Sequence, residues 1–225
     1  MKLTYYGHSA CLLECRGQRL LFDPFLSGNP NAGISPDAVE CDYILLTHGH
    51  ADHLGDTLAI AQRTGATVIA VFELAGYCQR KGAEAHPMHI GGRCAFPFGS
   101  VKLTIAHHSS SFTEVDGSTV YLGNPAGIIV ESEGKTLYHA GDTGLFYDMK
   151  LIGEHHAIDL ALLPIGDNFT MGIGDACRAV EFLKPGRVVP VHYNTFPAIV
   201  VDPQAFAHEA SAPVAVLEPG QSIEV

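Results

Sequence analysis

The sequence has no tryptophan and little positive charge. Its 13 lysines and arginines stand against 24 aspartates and glutamates, a formal net charge of −11 over 225 residues. Such a chain lacks the broad basic face that polyanions need, which excludes nonspecific nucleic-acid or anionic-membrane binding as its role. No apolar run approaches the ~20 residues of a membrane helix, so no membrane anchor is expected. The opening Met1-Lys2-Leu3-Thr4-Tyr5-Tyr6-Gly7-His8 shows neither the apolar core nor the small-residue cleavage site of a secretory leader. The six cysteines (Cys11, Cys15, Cys41, Cys78, Cys94 and Cys177) include no Cys-x-x-Cys pair and no disulfide framework. The expectation is a cytoplasmic protein with reduced thiols.

Apolar mass and histidine stand in place of these. Hydrophobic residues make up 47% of the chain, enough for a real core, and 13 histidines equal the whole lysine-plus-arginine count. Short β-type runs recur between Gly, Pro, Asn and Asp punctuation. Residues 2–6, 11–15 and 19–22 predict an antiparallel meander turning at Arg16-Gly17-Gln18, followed by a buried strand at 43–47. A helix at 56–64, a strand at 67–71 and a helix at 74–81 come next, then strands at 101–106, 128–132 and 136–139. The last third alternates a strand at 160–164, a helix at 175–183, a strand at 187–191, a short helix after Pro203, and strands at 214–217 and 222–225. Hairpins followed by strands mixed with helices, twice over, predict an α/β fold of two packed sheets covered outside by helices. With no repeat, low-complexity tract or linker, residues 1–225 read as a single domain.

The chemistry concentrates in Thr47-His48-Gly49-His50-Ala51-Asp52-His53, between a predicted strand and a predicted helix. On one helix, His48, His50 and His53 would point in different directions. A tight loop with small Gly49 and Ala51 can bring them together. Neutral imidazole and carboxylate are the ordinary ligands of zinc and its borderline neighbours, so this stretch is a candidate metal site.

His48-x-His50-x-Asp52-His53 resembles the signature of the metallo-β-lactamase superfamily. The resemblance implies an αβ/βα four-layer sandwich of two mixed β-sheets, with helices on both outer faces and two metals at one edge. It places His48 and His50 on the first metal and Asp52 with His53 on the second. It also calls for a mid-chain histidine, a bridging aspartate and a late histidine. The candidates are His107-His108 after strand 101–106, Asp142 in Tyr138-His139-Ala140-Gly141-Asp142-Thr143, and His192 in Val189-Pro190-Val191-His192-Tyr193. Alternation along 101–106 leaves His107 and His108 open as the first metal's third ligand; the family pattern favours His108.

Three further stretches are similar to a subgroup of small metal-dependent hydrolases, akin to L-ascorbate-6-phosphate lactonase and N-acylphosphatidylethanolamine phospholipase D. They are Tyr6-Gly7-His8-Ser9, Leu21-Phe22-Asp23-Pro24-Phe25 and Gly166-Asp167-Asn168-Phe169-Thr170-Met171-Gly172. His8 either faces the metals or caps its turn. Asp23 is expected to accept hydrogen bonds from the histidine loop and fix its geometry. Asn168 and Thr170 are placed to hydrogen-bond a substrate oxygen, or simply form a turn. His86-Pro87-Met88-His89-Ile90-Gly91-Gly92 reads as a loop near the cleft, His155-His156 as a solvated turn, and His139 as packing beneath Asp142.

The function implied by the resemblance is metal-dependent hydrolysis. Two divalent ions, zinc first with manganese or iron behind, would share Asp142 and bring the pKa of water down toward ~7. The resulting hydroxide would cleave an ester, lactone, amide or phosphodiester bond of a small substrate, with Asp52 a ligand that also orients the nucleophile or carries a proton. No Gly-x-Ser-x-Gly elbow offers a serine instead. The alternative is an iron-dependent, persulfide-dioxygenase-like oxidoreductase on the same fold. Di-iron oxygen reductases place Glu where His50 stands. A homo-oligomer is compatible with the sequence.

Overall fold

Two left-handed residues, Arg16 and Gly17 (φ 48° and 72°), turn the opening chain back on itself in the computed structural model, which describes residues 1–225. Strands β1 (Lys2–Gly7), β2 (Ala10–Cys15) and β3 (Gln18–Phe22) accordingly form an antiparallel meander. The chain then changes from hairpins to crossovers. It runs through β4 (Tyr43–Leu45), α1 (Ala51–Leu54), α2 (Thr57–Thr64), β5 (Thr67–Val71), α3 (Phe72–Arg80) and β6 (Ala85–Met88). Strands β3 to β6 pair in parallel.

The second sheet repeats this plan. Strands β7 (Arg93–Phe96) and β8 (Gly99–Ile105) pair antiparallel. A small hairpin of β9 (Ser111–Thr113) and β10 (Thr119–Tyr121) leads to β11 (Ala126–Ser132) and β12 (Lys135–His139). Helix α4 (Met149–His155), β13 (Leu160–Pro164), α5 (Ile173–Leu183) and β14 (Arg187–Val191) add the parallel part. After α6 (Pro203–Glu209), β15 (Ser222–Glu224) returns antiparallel to β1. The strand orders are β15-β1-β2-β3-β4-β5-β6 and β14-β13-β12-β11-β8-β7.

Strands β11 to β14 are buried on both faces, so their apolar runs are continuous and the two-residue side-chain period divides them. Ile128, Val130, Leu137, Leu160, Leu162, Val189 and Val191 enter the larger core, which also takes in Ile60 of α2 and Leu74 of α3. Ile129, Tyr138, Ala161, Leu163 and Val188 enter a second core with Met149, Ile152, Ala179, Val180, Leu183 and Phe206 from α4, α5 and α6. The result is the four-layer αβ/βα sandwich of two mixed sheets. Each fully buried Leu, Ile or Val contributes roughly 1.5–3 kcal/mol by leaving water, and these cores hold the strand ends at fixed positions.

Some segments differ from the sequence expectation. Residues 86–92, read as a loop, begin inside edge strand β6; Pro87 lacks an N–H, which an edge position tolerates. Residues 214–217 form no strand, only a single bridge from Val214 to Val188. Helix α4 was invisible because it buries only Met149 and Ile152. His155 ends that helix, and His156 Nδ1 lies 3.1 Å from Glu131 Oε1 rather than in a free turn. The β9–β10 hairpin, of three-residue strands, also escaped the pattern.

Candidate metal centre

Several strands bring their C-terminal ends to one rim, the usual ligand position in α/β sheets. Asp23 follows β3, Thr47 and His48 follow β4, and Asp52 with His53 begins α1. His107 and His108 follow β8, Asp142 follows β12, His192 follows β14, and His8 lies in the β1–β2 turn. His8, Asp23, His48, His53, Asp142 and His192 are each at most 2% exposed. Ionisable groups are buried this deeply only when paired or bound.

The side chains converge as overlapping groups. In one, His50 Nδ1 lies 3.0 Å from His48 Nε2 and 3.2 Å from His108 Nε2. In another, His8, Asp52, His53 and His192 meet, with Asp52 Oδ2 3.2 Å from His8 Nε2 and 3.7 Å from His192 Nε2. Asp142 reaches both: Oδ1 is 3.2 Å from His53 Nε2, and Oδ2 is 3.1 Å from His192 Nε2 and 3.7 Å from His108 Nε2. Gly141 permits this approach. Its φ is +64°, and a Cβ there would stand 2.8 Å from Thr47 Cβ. Gly49 is equally constrained, since its Cβ would meet Leu122 Cδ1 at 2.4 Å.

Asp23 decides which nitrogens face inward. Its carboxylate accepts from Thr47 N at 2.8 Å, Thr47 Oγ1 at 2.6 Å and His53 Nδ1 at 2.8 Å. His53 therefore carries a hydrogen on Nδ1 and presents Nε2 to Asp142. The Thr47 hydroxyl has given its one hydrogen to Asp23, so it accepts from His48 Nδ1 at 3.0 Å, and His48 Nε2 is bare. His53 Nε2 and Asp142 Oδ1 are both buried and neither makes a hydrogen bond, although 3.2 Å separates them. Unless a proton or a cation lies between them, two lone pairs face each other there. A donor set of imidazole nitrogens and carboxylate oxygens fits zinc, manganese or iron.

The electrostatics separate the groups. Burial holds His48, His50 and His108 below the usual imidazole range, keeping them neutral. Burial also lowers His8, to about 4. For His53 and His192 burial acts in the same direction but is outweighed. The Asp142 and Asp23 carboxylates raise His53 well above its ordinary value, and Asp142 with Asp52 lifts His192 to about 9. Burial would raise Asp52 and Asp142, yet the facing imidazoles hold both well below the carboxylate range.

A pH dependence follows for the metal-stripped protein. His192 is raised above the ~6.5 of an unfolded chain. Its stabilising contribution is thus full below about pH 6.5 and is lost as pH rises through about 9. At pH 7, cation uptake should release protons that the Asp142 carboxylate holds in the cluster, the one on His192 foremost. Calorimetric zinc titrations in buffers of different ionisation enthalpy will measure the release. Uptake without proton release would contradict this picture.

The remaining sequence candidates divide. His108 enters the cluster; His107 stacks on Phe146 at 5.0 Å, and its backbone N donates to Thr143 Oγ1. His139 lies beneath the site, stacked on Phe22 and accepting from Gly141 N. The cleft of about 330 Å³ is lined by His50, Asp52, His108, Ser109, Asp142, Phe169 and His192. Asn168 and Thr170 are absent from that wall, where Phe169 stands between them, and Thr170 Oγ1 donates to Met171 O. The segment from His86 to Gly92 does not line it either. Thr47, Ser109 and Phe169 carry no role in the sequence reading; only Thr47, directly before His48, had a positional signal.

A family model described as a beta-lactamase superfamily domain matches residues 18–193. The chain is 54% identical over 226 residues to a UPF0173 metal-dependent hydrolase of Carboxydothermus hydrogenoformans, covering 99% of each. It is 57% identical over 228 residues to a UPF0173 metal-dependent hydrolase of Shouchella clausii, covering 100% of each. Among solved structures, Igni18, a metallo hydrolase of the hyperthermophilic archaeon Ignicoccus hospitalis, superposes with a TM-score of 0.89 at 40% identity. That match covers 99% of this chain and 97% of the other.

Proposed function

We propose that this chain, which belongs to the beta-lactamase superfamily domain family, is a metal-dependent hydrolase acting on a small substrate through a two-cation site. The carrying observation is the buried, unbonded pair His53 Nε2 and Asp142 Oδ1 at the centre of the converging donors. His48, His50 and His108 would hold one cation, Asp52, His53 and His192 the other, with Asp142 shared. Zinc is the first choice, with Mn2+ or Fe2+ behind it. When bound, the cations supply Lewis acidity and bring the pKa of water toward ~7. The scissile bond is an ester, lactone, amide or phosphodiester.

The chain's own residues divide the remaining work. Asp23 orients His53 directly and His48 through Thr47. Asp52, with a side chain 27% exposed, opens onto the cleft, where its carboxylate can orient a water by accepting a hydrogen bond from it. Phe169 supplies the cleft's apolar wall. The relatives are named as hydrolases and lend no support to the iron-dependent oxidative alternative. All six cysteines are free, which favours a reducing, cytoplasmic compartment, and no helix is long and apolar enough to cross a membrane.

The test pairs elemental analysis of the purified protein with a panel of esters, lactones, amides and phosphodiesters. Two metal equivalents are expected, with turnover of at least one class that His50→Ala abolishes. Full activity after chelation would overturn the proposal.

A further inference from the structure

We infer that His8 is a positioning residue that donates its Nε2–H to Asp52 Oδ2 and holds that carboxylate in the orientation in which it serves the second cation. This rests on the metal-dependent reading above and adds to it a residue 40 positions before the His48 loop.

His8 is built into its place from every side. It is 1% exposed, with both ring nitrogens engaged: Nε2 is 3.2 Å from Asp52 Oδ2 and Nδ1 is 2.9 Å from Thr195 Oγ1. The ring packs 4.3 Å from His192 and 5.4 Å from Phe196, centroid to centroid. The backbone is left-handed, φ +56°, uncommon for a residue with a side chain. Its carbonyl accepts from His192 N at 2.9 Å and Tyr5 Oη at 3.2 Å, so the β1–β2 turn is tied to the strand end that delivers His192. Strained backbone retained beside a cluster of ligand-type side chains is expected where the position of a side chain matters.

The hydrogen assignment follows from the partners. A neutral imidazole has one N–H, and an ionised carboxylate only accepts. A bare Nε2 would set its lone pair against Asp52 Oδ2, whereas an N–H there makes a charge-assisted hydrogen bond. Nδ1 is then the acceptor, and the Thr195 hydroxyl turns its one hydrogen to Nδ1 at 2.9 Å rather than to the competing Tyr193 O at 3.3 Å. This reverses the sense at His53, where Asp23 takes Nδ1–H and leaves Nε2 for the site. Asp52 needs such support. It sits on the four-residue helix α1, open to the cleft, and His192 Nε2 at 3.7 Å is too distant for a hydrogen bond.

The experiment titrates zinc, against a competing chelator, into the metal-stripped full-length chain and its variants. His8→Ala should weaken the equivalent bound at Asp52 by about 10–100-fold, the usual cost of losing an outer hydrogen-bond partner. The equivalent at His48, His50 and His108 should be unchanged. His8→Gln, which keeps an N–H donor but no imidazole, should recover most of the loss. Thr195→Val, a milder change, should fall between. Circular dichroism will confirm that the variants fold. Nitrogen-15 NMR of the unaltered protein, which needs no variant, should find the His8 hydrogen on Nε2 with and without zinc.

Wild-type affinity in folded His8→Ala, or no recovery in His8→Gln, would overturn the inference. So would a hydrogen on Nδ1, which would make His8 itself a ligand. If the unaltered protein binds no zinc, the functional reading fails, while the NMR assignment in the metal-free chain still decides how His8 and Asp52 pair.

Discussion

Asp142→Ala is expected to lower hydrolytic activity by at least ~10³-fold, the scale at which removing a central electrostatic element acts, and to strip both cation sites of tight binding. Asp142 Oδ1 is 3.2 Å from His53 Nε2 and Oδ2 3.1 Å from His192 Nε2, with His108 Nε2 at 3.7 Å. The same side chain thus serves both groups of donors, and its loss damages both. Asp142→Asn, which keeps the shape and removes the charge, should fall nearly as far. Stability should change less. Without Asp142, the largest charge holding His53 and His192 protonated is gone, so both rings can become neutral in place. Metal content and kcat/KM on the best panel substrate will measure the effect. Two tightly held equivalents with activity within tenfold of the parent would refute Asp142 as the shared ligand.

Asp23→Ala should produce the largest loss of stability. The side chain is fully buried and accepts three hydrogen bonds, from Thr47 N, Thr47 Oγ1 and His53 Nδ1. Alanine would strand all three donors in the interior. Breaking a buried charge-bearing pair from one side costs about 3–5 kcal/mol, and the left-handed backbone at Asp23, φ +40°, gives alanine no compensation. Urea unfolding should show a much lower midpoint with little change in slope. Zinc affinity should also fall, about 10–100-fold, because His48 and His53 lose the partner that fixes their rings. Asp23→Asn keeps an acceptor for Thr47 and should lose less of both. A midpoint close to the parent's would mean that the histidine loop is held by the cores alone.

The metal-binding loop was legible because its ligands are neighbours. His48 to His53 span six residues at the end of a run that only a buried strand explains. The two-sheet architecture was legible for a related reason: alternating burial along β11 to β14 leaves continuous apolar runs wherever helices cover the second face. Asp142 and His192 were within reach of the same logic because each directly follows such a run, although the family resemblance was needed to single them out.

Local pattern determined the packed sheets with outer helices and the imidazole-and-carboxylate loop, and the family resemblance supplied the rim; contacts between distant segments decided which way individual side chains turn there. His107 and His108 are equivalent in sequence. Thr143 Oγ1 and Gly144 N bind the backbone of His107, and Phe146 takes its ring, which leaves the cleft to His108. Asn168 and Thr170 looked like substrate contacts, yet successive left-handed residues at Asp167 and Asn168, φ 60° and 41°, break the alternation and bring Phe169 to the wall. His8 takes its meaning from Thr195, 187 positions away, and from Asp52 on another loop. A repeat of two or 3.6 residues records which face of an element is buried. It carries nothing about the hydrogen-bond partner that a loop meets only after the sheets have closed.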